Sequence, residues 1–291
     1  MDKRLRTYTK KNLKNNFLEN FFRKLSMTNW IIAFNVIIFV LILILISIFG
    51  EEKIISVIAL QANSFFNGNY WTLLTSMFSH IYFWHLLANM FSLFFIGNFV
   101  EKLIGRKRFF WLYLISGLFA GLVYVLLSYY FGASVIGAKI FGSPDIFALG
   151  ASGAVFSLLG LLAVLTPYSK VYLIAGPLIA IIVQSVVDSL YPTASFIGIF
   201  DTLIFIYIMV AIFTMFSFNP KWVKIALPLK MSFWILPIIA ILPLVLIGLV
   251  IPLPIGNTAH FGGLVAGLIY AYYLKKRYKK KTELIKRYFS S

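Results

Sequence analysis

The sequence predicts an all-α membrane protein, a polytopic helix bundle, and three observations carry that expectation. Hydrophobic residues fill 61% of the 291 positions, against about half in an ordinary soluble domain. Apolar runs recur from Asn29 almost to the C-terminus, each about twenty residues and so long enough to cross a hydrocarbon core about 30 Å thick. The third observation is where the charge lies. The net charge is +17, yet Lys and Arg gather at the ends of the apolar runs, where they set topology. That placement argues against a nucleic-acid partner and for a lipid bilayer. Cysteine is absent, which excludes disulfides, thiol catalysis and cysteine-ligated metal.

Residues 1–28 read as a basic cytoplasmic or interfacial segment, in which Phe17, Phe21 and Phe22 can share one helical face. The membrane domain occupies 29–274, and 275–291 form a basic tail. The first span, Asn29 to Phe49, is too long for a signal-peptide core and has no small-residue cleavage site before Glu51. From Gly50 to Phe83 the chain is dense in aromatics, among them Phe65, Phe66, Tyr70, Trp71, Phe78 and Tyr82, as in a loop half sunk among headgroups. The second span runs from Trp84 to Ile104 and is closed by Gly105-Arg106-Lys107-Arg108; the third covers Phe109 to Tyr130. A linker, Phe131 to Leu149, leads into the fourth, Ala151 to Thr166, which Pro167 ends. Three more apolar runs follow, Val171 to Leu190, Phe196 to Phe216 and Ser232 to Val250, and the last span, Thr258 to Leu274, stops at Lys275-Lys276-Arg277.

This gives eight spans with both termini on one side. The N-terminus, Arg106 to Arg108, Lys170, the Lys221/Lys224/Lys230 linker and the tail all fall on that side, which the positive-inside rule makes the cytoplasm. A prokaryotic cell membrane suits this arrangement.

Only three histidines occur: His80, His85 and His260. His85 and Asn89 are four residues apart in the second span and share a face. Gly150-Ala151-Ser152-Gly153 opens the fourth span, and His260 stands at the beginning of the last. Taken singly, these residues also fit helix packing and interfacial hydrogen bonding. In the eight-span topology, however, the second, fourth and last spans run the same way, so His85, Asn89, Ser152 and His260 share a depth near the outer surface. Polar groups at membrane depth are costly unless they face protein or water. A cavity opening outward satisfies that requirement.

Such a cavity suits acyl transfer. A serine hydroxyl is a weak nucleophile until a base takes its proton, and His260 is the imidazole available to Ser152. No carboxylate is placed to orient the ring, so the reading is a Ser-His dyad, with Phe156 packing from one turn along. His85, Asn89 and the unpaired N–H groups at the helix start are candidate oxyanion donors. Ala259, Gly263 and Gly267 form a small-residue strip facing Gly153, Ser157 and Gly160, the means of bringing the two helices together. No cofactor or metal is expected.

These motifs resemble the rhomboid intramembrane serine proteases: Gly150-x-Ser152-Gly153, His85-x-x-x-Asn89 with His80 upstream, and Ala259-His260-x-x-Gly263-x-x-x-Gly267. Glu101 also looks like a family position. The resemblance covers roughly Trp71 to Tyr273. It implies an endopeptidase that cuts transmembrane segments near their outer boundary, where small or helix-destabilising residues let the strand unwind. Three features depart from the family pattern. Trp71-Thr72 stands where Trp-Arg is frequent, and Phe156 stands where tyrosine is common. Between the serine and histidine helices the family has one span and this chain has three apolar runs, so an extra pair is expected within 171–250. Two other functions fit parts of the sequence. One is a rhomboid-like pseudoprotease that binds membrane helices without cutting them; the other is a transporter, suggested by the span number and by Pro177, Pro237 and Pro243.

Overall fold

The computed structural model describes residues 25–216, 220–249 and 256–289. The face expected of Phe17, Phe21 and Phe22 lies outside the described residues. The chain folds as a helical bundle, and four helices are long and apolar enough to cross a membrane. It is a multi-pass membrane protein.

Helix α1 (Met27–Phe49) starts at Ser26, whose hydroxyl accepts the Asn29 N–H at 3.1 Å. Its exposed side chains, Phe34, Ile37, Ile44 and Ile48 among them, are apolar, the pattern of a helix with lipid on one side and protein on the other. The aromatic stretch that follows is mostly helical turns, α2 (Glu51–Ile58), α3 (Ala62–Phe66) and α4 (Thr72–Thr75). Helix α5 (Phe83–Ile104) contains one turn of π-helix at Leu93–Gly97. Gly97 lies against α1, where a Cβ would come within 2.8 Å of Thr28 Cγ2. Helix α6 (Arg106–Phe131) is followed by a short α7 (Val135–Phe141) inside the expected linker.

Glu101 ties the second span to the first. Its carboxylate accepts the Met27 and Thr28 N–H groups, each at 2.8 Å, and the Thr28 hydroxyl at 2.7 Å. The N–H groups of a first helical turn lack intrahelical partners and carry the positive end of the dipole. An acid from a neighbouring helix satisfies both needs.

Helix α8 (Ser152–Leu165) has 14 residues. At 1.5 Å per residue it rises about 21 Å, well short of a hydrocarbon core about 30 Å thick. At least one of its ends therefore stops short of a membrane surface. The next apolar run is not one helix. Residues Lys170–Ile174 form strand β1, pairing antiparallel with β2 (Pro228–Ser232) in register Lys170 to Ser232 and Ile174 to Pro228. The chain between the strands makes α9 (Ala175–Leu190), α10 (Ile197–Phe216) and the short α11 (Pro220–Val223). The run expected to begin at Ser232 is likewise strand at its start, with helix only from Leu236 to Gly248 (α12). Between the two strands the chain leaves and returns through α9 and α10, while α12 packs on α8 and on the last helix. Gln184 Nε2 donates to Asp201 Oδ1 at 2.8 Å and links the pair. Trp84 of α5 meets Phe205 of α10 edge to face, with centroids 4.8 Å apart.

The last span, α13 (Asn257–Arg277), carries Lys275, Lys276 and Arg277 in its final turn and is followed by α14 (Lys279–Tyr288). It packs against both α6 and α8. A Cβ on Gly263 would overlap the Gly153 carbonyl, one on Gly267 the Ser157 carbonyl, and one on Gly160 the Leu264 carbonyl. The two backbones touch along the expected strips.

Two substitutions test this architecture. Glu101→Gln removes the charge from three hydrogen bonds worth about 1.5–3 kcal/mol each when charge-assisted, and Gly267→Ala overpacks a backbone contact at a cost of about 1–3 kcal/mol. Both should lower the thermal midpoint in detergent by several degrees. A midpoint unchanged in both variants would overturn this account of the packing.

Candidate active site

Ser152 is the first residue of α8, and the loop before it is fixed by backbone contacts. Leu60 and Ala148 exchange hydrogen bonds at 2.9 and 2.7 Å, and the Gly150 N–H reaches the Ser76 carbonyl at 2.8 Å. Gly150 has a φ of 116°, and a Cβ there would fall 2.6 Å from His85 Cε1. Glycine is required on both counts.

His260, in the first turn of α13, brings Nε2 to 2.8 Å from Ser152 Oγ. Phe156, four residues beyond Ser152, stacks on the imidazole with centroids 4.2 Å apart and planes inclined by 11°. The other ring nitrogen, Nδ1, is buried without a hydrogen-bond partner among the described residues. The ring is therefore oriented by stacking and by the hydroxyl, with no carboxylate behind it.

His85 and Asn89 approach from α5. The Asn89 amide donates to the His85 carbonyl at 2.9 Å, and its Nδ2 lies 3.6 Å from the point where a Gly150 Cβ would sit. A primary amide has two N–H donors, so a second remains beside the serine loop. The Val155 N–H is the first in α8 to find a partner one turn back, the Ala151 carbonyl. Those of Ser152, Gly153 and Ala154 precede it and have no intrahelical acceptor. Donors from two helices thus lie beside the loop and helix start that carry Ser152.

His80 lies in the loop ahead of α5 and is fully buried. Its Nε2 accepts the Ala151 N–H at 3.4 Å, and its ring stands 5.0 Å from that of His85. Burial, and then the neighbouring His85, push its pKa down to about 3. It is a neutral strut under the serine loop.

The structure brings together Ser152, His260, Phe156, His85, Asn89, His80 and Gly150, while Gly153, Ala259, Gly263 and Gly267 line the contact between α8 and α13. Sequence reasoning missed Ser76, Leu60 and Ala148, which hold the loop by main-chain atoms alone and so leave no mark on residue type. A family model described as Rhomboid domain matches residues 67–199. The chain thus carries a rhomboid domain over that stretch. The matched stretch ends after α9, so it contains Ser152 but not His260, which the fold alone carries to the serine. No curated protein matches the chain.

His80 in this rhomboid domain gives a pH signature. A histidine held neutral when folded, with an ordinary pKa of about 6.5 when unfolded, costs no stability above that value. It costs progressively more as pH falls toward the folded value, because only the unfolded state takes the proton. The thermal midpoint of wild type should therefore fall between pH 7 and pH 5. His80→Asn should have a lower midpoint at pH 7 and a smaller fall; an equal fall would assign the effect to other groups.

Proposed function

We propose that this rhomboid-domain protein is an intramembrane serine endopeptidase, with Ser152 as nucleophile and His260 as general base and acid. The observation that carries the reading is the 2.8 Å separation of Ser152 Oγ and His260 Nε2 at the start of α8. That distance lies within hydrogen-bond reach for proton transfer, and the family consists generally of such proteases.

In this mechanism Nε2 takes the hydroxyl proton as Oγ attacks the scissile carbonyl. The resulting oxyanion is met by the Ser152 N–H at the helix start and by the side chains of Asn89 and His85. His260 then gives its proton to the leaving amine, and the acyl group stays on Oγ. A water, deprotonated by the same nitrogen, attacks the ester and releases the acid, which restores the serine. Because Nδ1 has no carboxylate partner among the described residues, the imidazolium formed in each half is stabilised less than in a Ser-His-Asp triad, and Phe156 supplies orientation in its place.

The substrate is a transmembrane segment, cut near the boundary at which the Ser152 end of α8 stops. The distribution of Lys and Arg supports a cytoplasmic side for the opposite, basic end and for both termini, in a cell membrane. Under this reading, cleavage falls in the outer half of the bilayer.

Cleavage of a single-span model substrate by purified protein in proteoliposomes, with products mapped by mass spectrometry, tests the proposal. Ser152→Ala and His260→Ala should each abolish cleavage while expression and the thermal midpoint stay near wild type. Asn89→Ala should lose about 10²-fold, the scale of one oxyanion donor. Cleavage persisting in Ser152→Ala would overturn the assignment. Binding of substrate helices without cleavage by wild type would replace it with the pseudoprotease reading.

A further inference from the structure

A second site lies at the other end of the bundle, distant from Ser152. A groove of about 600 Å³ opens there, with walls made by Phe95, Ile96 and Phe99 of α5, by Val171 of β1, and by Phe233 and Phe289. This is the size of a pocket that takes a small molecule or a lipid segment. One end of the groove is polar and is formed by Tyr168, Ser169 and Lys170.

Three features of that polar end point to an anion. The Ser169 side chain is 93% buried, since 7% of the residue is exposed, and its hydroxyl has no hydrogen-bond partner among the described residues. The Lys170 ammonium gives one hydrogen bond, to Ser232 Oγ at 2.9 Å, and an ammonium has three donors. From α14, Lys286 sets its Nζ 5.6 Å from the centre of the Tyr168 ring. Lys170 and an unpaired hydroxyl therefore stand where an apolar trough begins, with Lys286 beside its Tyr168 wall.

The occupant that matches both halves is amphiphilic and negative at one end. We propose that the groove between α5, the β ribbon and α14 binds an anionic phospholipid, its phosphate at Ser169, Lys170 and Lys286 and an acyl chain along Phe99, Val171 and Phe233. The surroundings favour it. Arg106 to Arg108, Lys275 to Arg277 and Lys279 to Lys281 all belong to this end of the bundle, where Arg108 Nη2 donates to the Tyr278 hydroxyl at 2.9 Å. Exposed Leu284 and Tyr288 on α14 place that helix against the same bilayer surface. The lipid would join the ribbon, the second span and the C-terminal helix in one contact, independently of any chemistry at Ser152.

Native mass spectrometry of the full-length protein in detergent, titrated with phosphatidylglycerol, phosphatidylcholine of the same chains, or glycerol phosphate, tests the site. A single phosphatidylglycerol adduct should form at a concentration at least tenfold lower than the phosphatidylcholine adduct. The preference should fall to threefold or less in Lys170→Gln/Lys286→Gln, and partway in Lys286→Gln alone, which leaves the Lys170–Ser232 contact in place. It should survive in Lys280→Gln/Lys281→Gln, whose lysines are exposed on α14. Equal affinity for the two lipids would overturn the proposal, as would an equal loss in the Lys280/Lys281 variant, the mark of diffuse charge. Displacement of phosphatidylglycerol by glycerol phosphate at comparable concentration would reject a lipid in favour of a soluble phosphate.

Discussion

The rest of this structure depends on the backbone contact between α8 and α13. Helices normally pack with axes 8–10 Å apart because side chains stand between them; here the Gly263 and Gly267 positions rest on the carbonyls of Gly153 and Ser157. Ser152 and His260 have short side chains relative to an ordinary interhelical gap, and only this approach lets Oγ and Nε2 meet at 2.8 Å. Close contact brings a second benefit in lipid, where no hydrophobic force draws helices together and van der Waals packing must do so. The same pair of glycines serves stability and geometry at once.

That contact also explains the unusual character of α13. It is not among the four helices long and apolar enough to count as spans by length and composition, because Asn257, Thr258, His260 and its glycines lower its hydropathy. A helix flanked by α6 and α8 has protein rather than lipid on two sides, so it can carry polar and small residues that a peripheral helix such as α1 cannot. Peripheral helices are apolar because lipid surrounds them; the central ones are shaped by each other. The shortness of α8 follows the same logic, since the Leu60–Ala148 bridge and the His80 strut bring a satisfied loop to meet its polar N-terminus inside the bundle.

Much of this was legible in the chain itself. Span positions came within a few residues wherever a run was bounded by charge or Pro, as at Arg106 and Pro167, and polar residues at a common depth located the cluster around Ser152 before any coordinates. What escaped notice was structure that lacks a local signal. Lys170 to Ile174 reads as the start of an apolar run, and a short apolar stretch of this kind has no periodicity that separates strand from helix. Its partner strand is Pro228 to Ser232, where Lys170 pairs with Ser232 at a separation of 62 residues along the chain, so the pairing is set by tertiary contact. Nor does any residue pattern announce that Trp84 meets Phe205. These contacts belong to the excursion between β1 and β2, of which the family model matches β1 and α9 but little of α10 and nothing of β2.

The ribbon resolves how two helices can be added between the serine and histidine without moving either. Antiparallel pairing of β1 with β2 puts Lys170 beside Ser232, so the chain leaves α8 and rejoins α12 at nearly one point. Whatever lies between must cross the bilayer an even number of times, a condition that a pair of helices such as α9 and α10 meets by crossing once each way or not at all. The direction of α12 and α13 is thereby unchanged, and His260 begins its helix at the same depth as Ser152. A single unpaired linker would satisfy parity as well, but it would leave the position of α12 to a long flexible loop. Strand pairing fixes that position, and Phe233, seated against Phe99 of α5 with centroids 6.3 Å apart, anchors the start of α12 to the wall of the bundle that also carries His85 and Asn89.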